Sequence, residues 1–235
     1  MGDPRKHLTS ALDGQTGSIR QKLGLLGYLA RSPKSGESVA NQLMPLGRTY
    51  DRVLRPFLTG VFLTDPSEVE GSVGKEIISS FVTGRPGLPT NGVGELATAL
   101  AKRIKNLQLK TRIEAVKDGY LKTNKRTGKI KFDALIVATD MSTAAQLLDI
   151  DSVPSQVGCT TWYHVPNYSP TEHPHLLLDG MQAGPVVNSL VISNMVPSYA
   201  PLGRYLVSTT TIQRASESEV RRHLATMWGT STQKW

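Results

Sequence analysis

Cys159 is the only cysteine among 235 residues, so no disulfide can close within the chain, and a reducing compartment is the simpler expectation. Long apolar runs are missing as well. The longest, Ala134 to Ala138 and Leu176 to Leu178, fall far below the ~18 residues that span a bilayer. Met1 to His7 carries Asp3, Pro4, Arg5 and Lys6, with no apolar stretch and small-residue cleavage site behind it, which argues against a secretory signal. These absences point to a cytoplasmic protein and leave open a targeting sequence ahead of Met1. There is no internal repeat and no low-complexity tract. With 39% hydrophobic and 20% charged residues, a disordered chain is excluded and one large or two small globular domains are expected.

Basic charge is in surplus. The formal net charge is +8, which suits nucleic acid, anionic lipid or an acidic cofactor. Those charges are spread along the chain. The densest group, Lys122, Lys125, Arg126, Lys129 and Lys131, is interleaved with Thr123, Asn124, Thr127 and Gly128. No aromatic residue stands there to stack on a base, so it reads as the solvated tip of a hairpin, and no nucleic-acid partner is expected. Nothing beyond the charge supports association with a membrane surface.

Residues 1–60 read as mainly helical. Ile19, Lys22, Leu23, Leu25, Leu26 and Leu29 supply a face at helical spacing, which 31–38 breaks, and shorter pieces follow over 39–44 and 50–57. Arg48, Arg52 and Arg55 read as helix-end or solvated residues. The run from Asp65 to Glu70 marks a helix start. Residues 81–89 are too rich in Gly and Pro to be regular for long. A helix over 93–104 is predicted next, with Leu96, Ala99, Leu100 and Ile104 on one side. Alternation from Leu107 to Val116 predicts a strand, and 120–123 and 129–132 flank a five-residue hairpin connection. The run 134–138 predicts a strand buried on both faces, with a helix after it over 142–148. Strands are expected at 160–165, 176–178, 186–192 and 204–211. A final helix is expected over 216–228, with Ser216 and Glu219 forming a capping box.

Few motifs carry chemistry. Gly92 to Ala97 matches G-x-G-x-x-[GA], and Glu114 lies twenty residues after Gly94. A dinucleotide site of this kind needs a strand running into its first glycine, but the lead-in contains Gly84, Pro86, Gly87 and Pro89 and is a loop. This argues against an NAD-binding domain built on those glycines. His173 and His175 offer two metal ligands without a third, so no metal site is expected. Cys159 reads as a core residue, and Trp162 with His164 as core packing around a satisfied imidazole. There is no hydrolytic constellation and no acid–base pair, so no catalytic side chain is assigned.

Three blocks in order carry a resemblance: 87–96 (G-L-P-T-N-G-V-G-E-L), 109–116 (L-K-T-R-I-E-A-V) and 132–140 (F-D-A-L-I-V-A-T-D). Together they resemble the central flavin-domain segment of the amine oxidase and phytoene desaturase superfamily. Two further pieces, 55–62 (R-P-F-L-T-G-V-F) and 193–203 (S-N-M-V-P-S-Y-A-P-L-G), are similar to its bacterial and plant desaturase-like branch. The resemblance implies a mixed α/β fold with four parts. Residues 1–80 would be the helical part of a substrate domain, 81–145 the middle of an FAD-binding domain, 146–212 the sheet of the substrate domain, and 213–235 a helix leading to a flavin-closing segment. It implies FAD as cofactor and a small-molecule substrate, apolar substrates included, with hydride passing from a C–H or N–H bond to the flavin N5. Pro89, Gly92, Gly94, Ile113, Ala138 and Thr139 are the implied cofactor contacts, Ile113 through its backbone at the adenine. Asn194, Ser198 and Tyr199 are the implied substrate-pocket residues. Family members also open with a strand and a G-x-G-x-x-G turn and close on a second glycine motif, and this sequence shows neither. The segment alone is therefore expected to be inactive, to hold FAD loosely and to leave apolar surface uncovered along 134–138. The alternative is a non-catalytic truncated remnant, or a binding module, of the same fold that does not hold flavin.

Overall fold

A computed structural model describes residues 13–32, 36–125 and 128–235. The readings made for Met1 to His7, for 33–35 within the helix break, and for Arg126 and Thr127 at the hairpin tip lie outside those residues. The chain divides into two units, one of residues 1–93 and 157–235 and one of residues 94–156.

The first unit opens with helices α1 (Ile19–Ala30), α2 (Val39–Leu43), α3 (Arg55–Phe62) and α4 (Gly71–Thr83). A capping box between Ser18 and Gln21 starts α1, and Ser38 caps α2. A π-turn over Tyr50–Leu54 leads directly into α3, which carries Pro56 as its second residue. The helix start expected at 65–70 falls a little later. Asp65 caps only a short 3-10 turn, Pro66–Glu68, and Glu70 caps α4, which runs on to Thr83. Val39, Leu43, Leu46, Tyr50, Leu54, Leu58 and Ile78 form the buried core of these helices. A Cβ added at Gly74 would run into the buried Val39, so glycine there lets α4 approach α2 closely.

In the second unit, α5 (Gly94–Ala101) is shorter than expected. Three antiparallel strands follow, β1 (Ile113–Lys117), β2 (Tyr120–Thr123) and β3 (Lys129–Lys131), ordered β1-β2-β3. Helix α6 (Met141–Leu148) starts on an Asp140 cap and packs against β1. Two expectations are corrected here. The strand predicted from Leu107 begins only at Ile113: Lys110 takes a left-handed φ of 52°, and β2 is too short to pair with 107–112. No strand forms over 134–138, and Ile136 is 91% exposed. An apolar strand needs partners and layers on both faces, and among the described residues none pairs with this run. The apolar surface expected to lie uncovered there is uncovered. Leu96, Leu100, Ile104, Leu107 and Leu109 are exposed as well.

The first unit resumes with β4 (Thr160–His164), β5 (Leu177–Leu178), β6 (Val186–Val191) and β7 (Val207–Thr211), an antiparallel sheet ordered β4-β7-β6-β5, and ends in α7 (Glu217–Trp228). The Ser216–Glu219 capping box forms as read from the sequence. Adjacent residues of β6 address different helices. Ser189 accepts from Trp228 Nε1 of α7 at 3.1 Å, while Asn188 lies against Gly60 of α3. Side chains alternate across a strand, so the two helices cover opposite faces of this sheet. Cys159, read as a core residue, is exposed because it lies in the irregular stretch ahead of β4.

Candidate functional site

The connection between β6 and β7 runs through two 3-10 turns, Ile192–Asn194 and Pro197–Tyr199, and through Gly203 with φ 75°. It is an anchoring turn. Tyr199 Oη donates to the carbonyl of Pro89 at 2.7 Å, and Ser198 Oγ donates to the carbonyl of Thr90 at 2.7 Å. The same Pro89 carbonyl accepts from Gly92 N–H at 3.1 Å, in a tight turn that requires φ 93° at Gly92. Pro89, Gly92, Ser198 and Tyr199 therefore meet as one cluster across about 110 residues of chain. Asn194 serves elsewhere: its Nδ2 donates to Thr171 O at 2.7 Å and Ser169 Oγ at 3.1 Å. Replacing Tyr199 by Phe is expected to cost about 1 kcal/mol, the net worth of one hydrogen bond, and to speed amide exchange in 84–93. Exchange in that loop unchanged from the native protein would show that the hydroxyl does not hold it.

In the second unit the remaining residues occupy element ends. Gly94 opens α5, Thr139 precedes the Asp140 cap of α6, and Ile113 begins β1. Asp140 accepts from Ser142 Oγ at 2.7 Å, Thr143 N–H at 3.0 Å and Gln156 Nε2 at 3.3 Å, and these bonds, that of Ser142 foremost, hold its carboxyl well below the usual range. The backbone direction of Ile113 follows from its neighbours. Arg112 bonds toward β2 through both its N–H and its C=O, on Asn124, while Thr123, opposite Ile113, donates to Gly128 on the far side. Alternation then turns the N–H and C=O of Ile113 off the edge of β1 that has no partner strand among the described residues. Added Cβ atoms at Gly87, Gly92 and Gly94 would meet nothing within 4 Å, so backbone is open at all three.

One buried polar pair went unread in the sequence. His223 of α7 and Asp179 are both almost fully buried, with Nε2 3.4 Å from Oδ2. Asp179 also accepts from the N–H groups of Met181 and Ala183, and His223 Nδ1 accepts from Val186 N–H at 3.1 Å. The partners lie 44 positions apart and no short motif links them. Reading His164 as core packing holds for its burial but not for its hydrogen bonding: its Nδ1 is buried, beside Trp235, and has no partner among the described residues. Trp162 is satisfied by Thr211 Oγ1 at 3.0 Å. The rings of His173 and His175 stack 5.3 Å apart, and among the described residues no group of three or more His, Cys, Asp or Glu is placed to hold a metal.

Comparison with known proteins fixes the class. Residues 16–227 match the model of the flavin containing amine oxidoreductases, and the chain belongs to that family. It superposes on a candidate protoporphyrinogen oxidase from Exiguobacterium sp. with TM-score 0.64 and 15% identity, over 93% of this chain and 58% of that one. An oxidoreductase from Methanosarcina mazei gives TM-score 0.65 at 14% identity, over 94% and 57%, and a Pyrococcus furiosus protein gives 0.68 at 14%, over 91% and 62%. This chain thus spans about three fifths of the length of those structures. No curated protein matches. No helix among the described residues is long and apolar enough to cross a membrane.

Proposed function

We propose that this chain supplies the central part of an FAD-dependent oxidoreductase acting on a small molecule. The match of 16–227 to a flavin-containing family carries the reading. The residues present fit the cofactor in two respects: Ile113 turns a free backbone donor and acceptor off a sheet edge, as recognition of an adenine edge needs, and backbone lies bare at Gly92 and Gly94. Flavin, when bound, supplies the hydride acceptor for a C–H or N–H bond. This chain's part is binding and positioning. Ile113 would hold the adenine through its backbone, Gly94 would present the start of a helix, and Ser198 and Tyr199 would keep the Pro89–Gly92 turn in place.

The chain spans about three fifths of the length of its structural relatives, so FAD should associate weakly and reversibly with the purified chain. Titration with FAD, followed by flavin fluorescence, tests this. Ile113→Val should bind like the native chain because the contact is backbone, whereas Ile113→Pro, which deletes the N–H, should weaken binding at least tenfold. No response to FAD in the native chain, or equal binding by both variants, would refute the assignment.

A further inference from the structure

A recess lies within the helical part of the first unit, bounded by α1, α2 and α4, with a volume near 650 Å³, in the range of small-molecule sites. Its α1 wall is one stripe of the helix. Arg20, Gly24, Gly27 and Arg31 fall at i, i+4, i+7 and i+11, placing a cation at each end about 16 Å apart, with bare backbone between. The two glycines differ. A Cβ at Gly24 would stand 2.6 Å from Leu46 Cδ2, so that glycine serves close packing, while a Cβ at Gly27 would meet nothing within 4 Å. Lys75 of α4 faces the same recess, and Glu37 is the acid on its rim. No ion pair or hydrogen bond holds the side chains of Arg20, Arg31 or Lys75 among the described residues. Tyr28 also lines the recess, and its buried hydroxyl has no hydrogen-bond partner among the described residues. Such groups are rare in folded proteins because leaving one unmade is costly.

We propose that this recess binds a small anionic molecule bearing phosphate or carboxylate groups, with Arg20, Arg31 and Lys75 meeting the oxyanions and the bare backbone at Gly27 leaving room for its body. Among the described residues, three unpaired cations against one acid set the sign of the ligand, and the separation of the two arginines favours charge at more than one point. The recess shares no residue with the proposed FAD contacts, and its failure would leave that reading untouched.

Calorimetric titration at low salt with inorganic pyrophosphate and with adipate separates a phosphate preference from a carboxylate one. At least one probe should bind with a one-to-one end point. Gly27→Leu fills open space and improves helix propensity, so it should melt no lower than the native protein yet lose binding at least tenfold. Arg31→Gln should weaken binding about tenfold, whereas Lys122→Gln, which removes the same charge from the hairpin, should not. Binding of neither probe, binding indifferent to Gly27→Leu, or equal losses in Arg31→Gln and Lys122→Gln would each overturn the proposal, the last by showing general attraction to a basic surface.

Discussion

Leu58→Ala is expected to lower the unfolding free energy of the first unit by about 3 kcal/mol, the scale of Leu-to-Ala changes in closed cores. Leu58 is fully buried on α3, in the cluster it shares with Leu43, Leu54 and Ile78. Gly60, two positions on, is the residue of α3 that lies against β6, so Leu58 projects from another side of that helix into the helical core. Neighbours held by the surrounding helices cannot collapse into the space left by three lost carbons. Urea denaturation followed by tryptophan fluorescence would measure the loss, since Trp162, Trp228 and Trp235 all belong to this unit. A change below about 1 kcal/mol would mean that this core relaxes freely, contrary to the packing described.

Stability should also fall in acid through His223. Burial lowers the pKa of this imidazole below its usual value of 6.5, with the Asp179 carboxylate opposing. Geometry gives the same direction: Nδ1 already accepts the Val186 N–H, and a proton there would set two donors against each other. The unfolded chain therefore takes up its proton at higher pH than the folded one. The stabilisation is complete above about pH 6.5 and is lost as pH falls through the lower folded value. His223→Asn keeps an acceptor for Val186 without a titrating ring, so its stability should vary less with pH between about 7 and 5. His223→Ala should cost about 2 kcal/mol at neutral pH by orphaning the Val186 N–H and stripping Asp179 of a partner. Identical pH profiles for the native protein and His223→Asn would remove the imidazole from the account. Gly184 belongs to the same arrangement, since a Cβ there would stand 2.6 Å from His223 Cγ, and Gly184→Ala should perturb the pair without touching its chemistry.

Local patterns in the sequence determined most of the first unit. Hydrophobic spacing placed α1, and the Ser216–Glu219 box placed the start of α7 to the residue. The strand character of the last third placed β4, β6 and β7 within three residues at their ends. These signals are short-range: a cap is satisfied within three residues and a strand face repeats every two, so they survive whatever the rest of the chain does. The ordered blocks at 87–96, 109–116 and 132–140 likewise pointed to the family that the match over 16–227 establishes.

Tertiary structure decided what depends on partners far along the chain. Residues 107–112 and 134–138 carry strand patterns, yet no strand forms there, because a ladder needs a neighbour to accept its hydrogen bonds and these find none among the described residues. The roles of Ser198 and Tyr199 as anchors of Pro89 and Thr90, the His223–Asp179 pair, and the recess beside Gly27 all join positions that composition and spacing treat as unrelated. A side chain's residue type states which bonds it can make, and only the fold, by bringing distant backbone within 3 Å, decides which of them it does make.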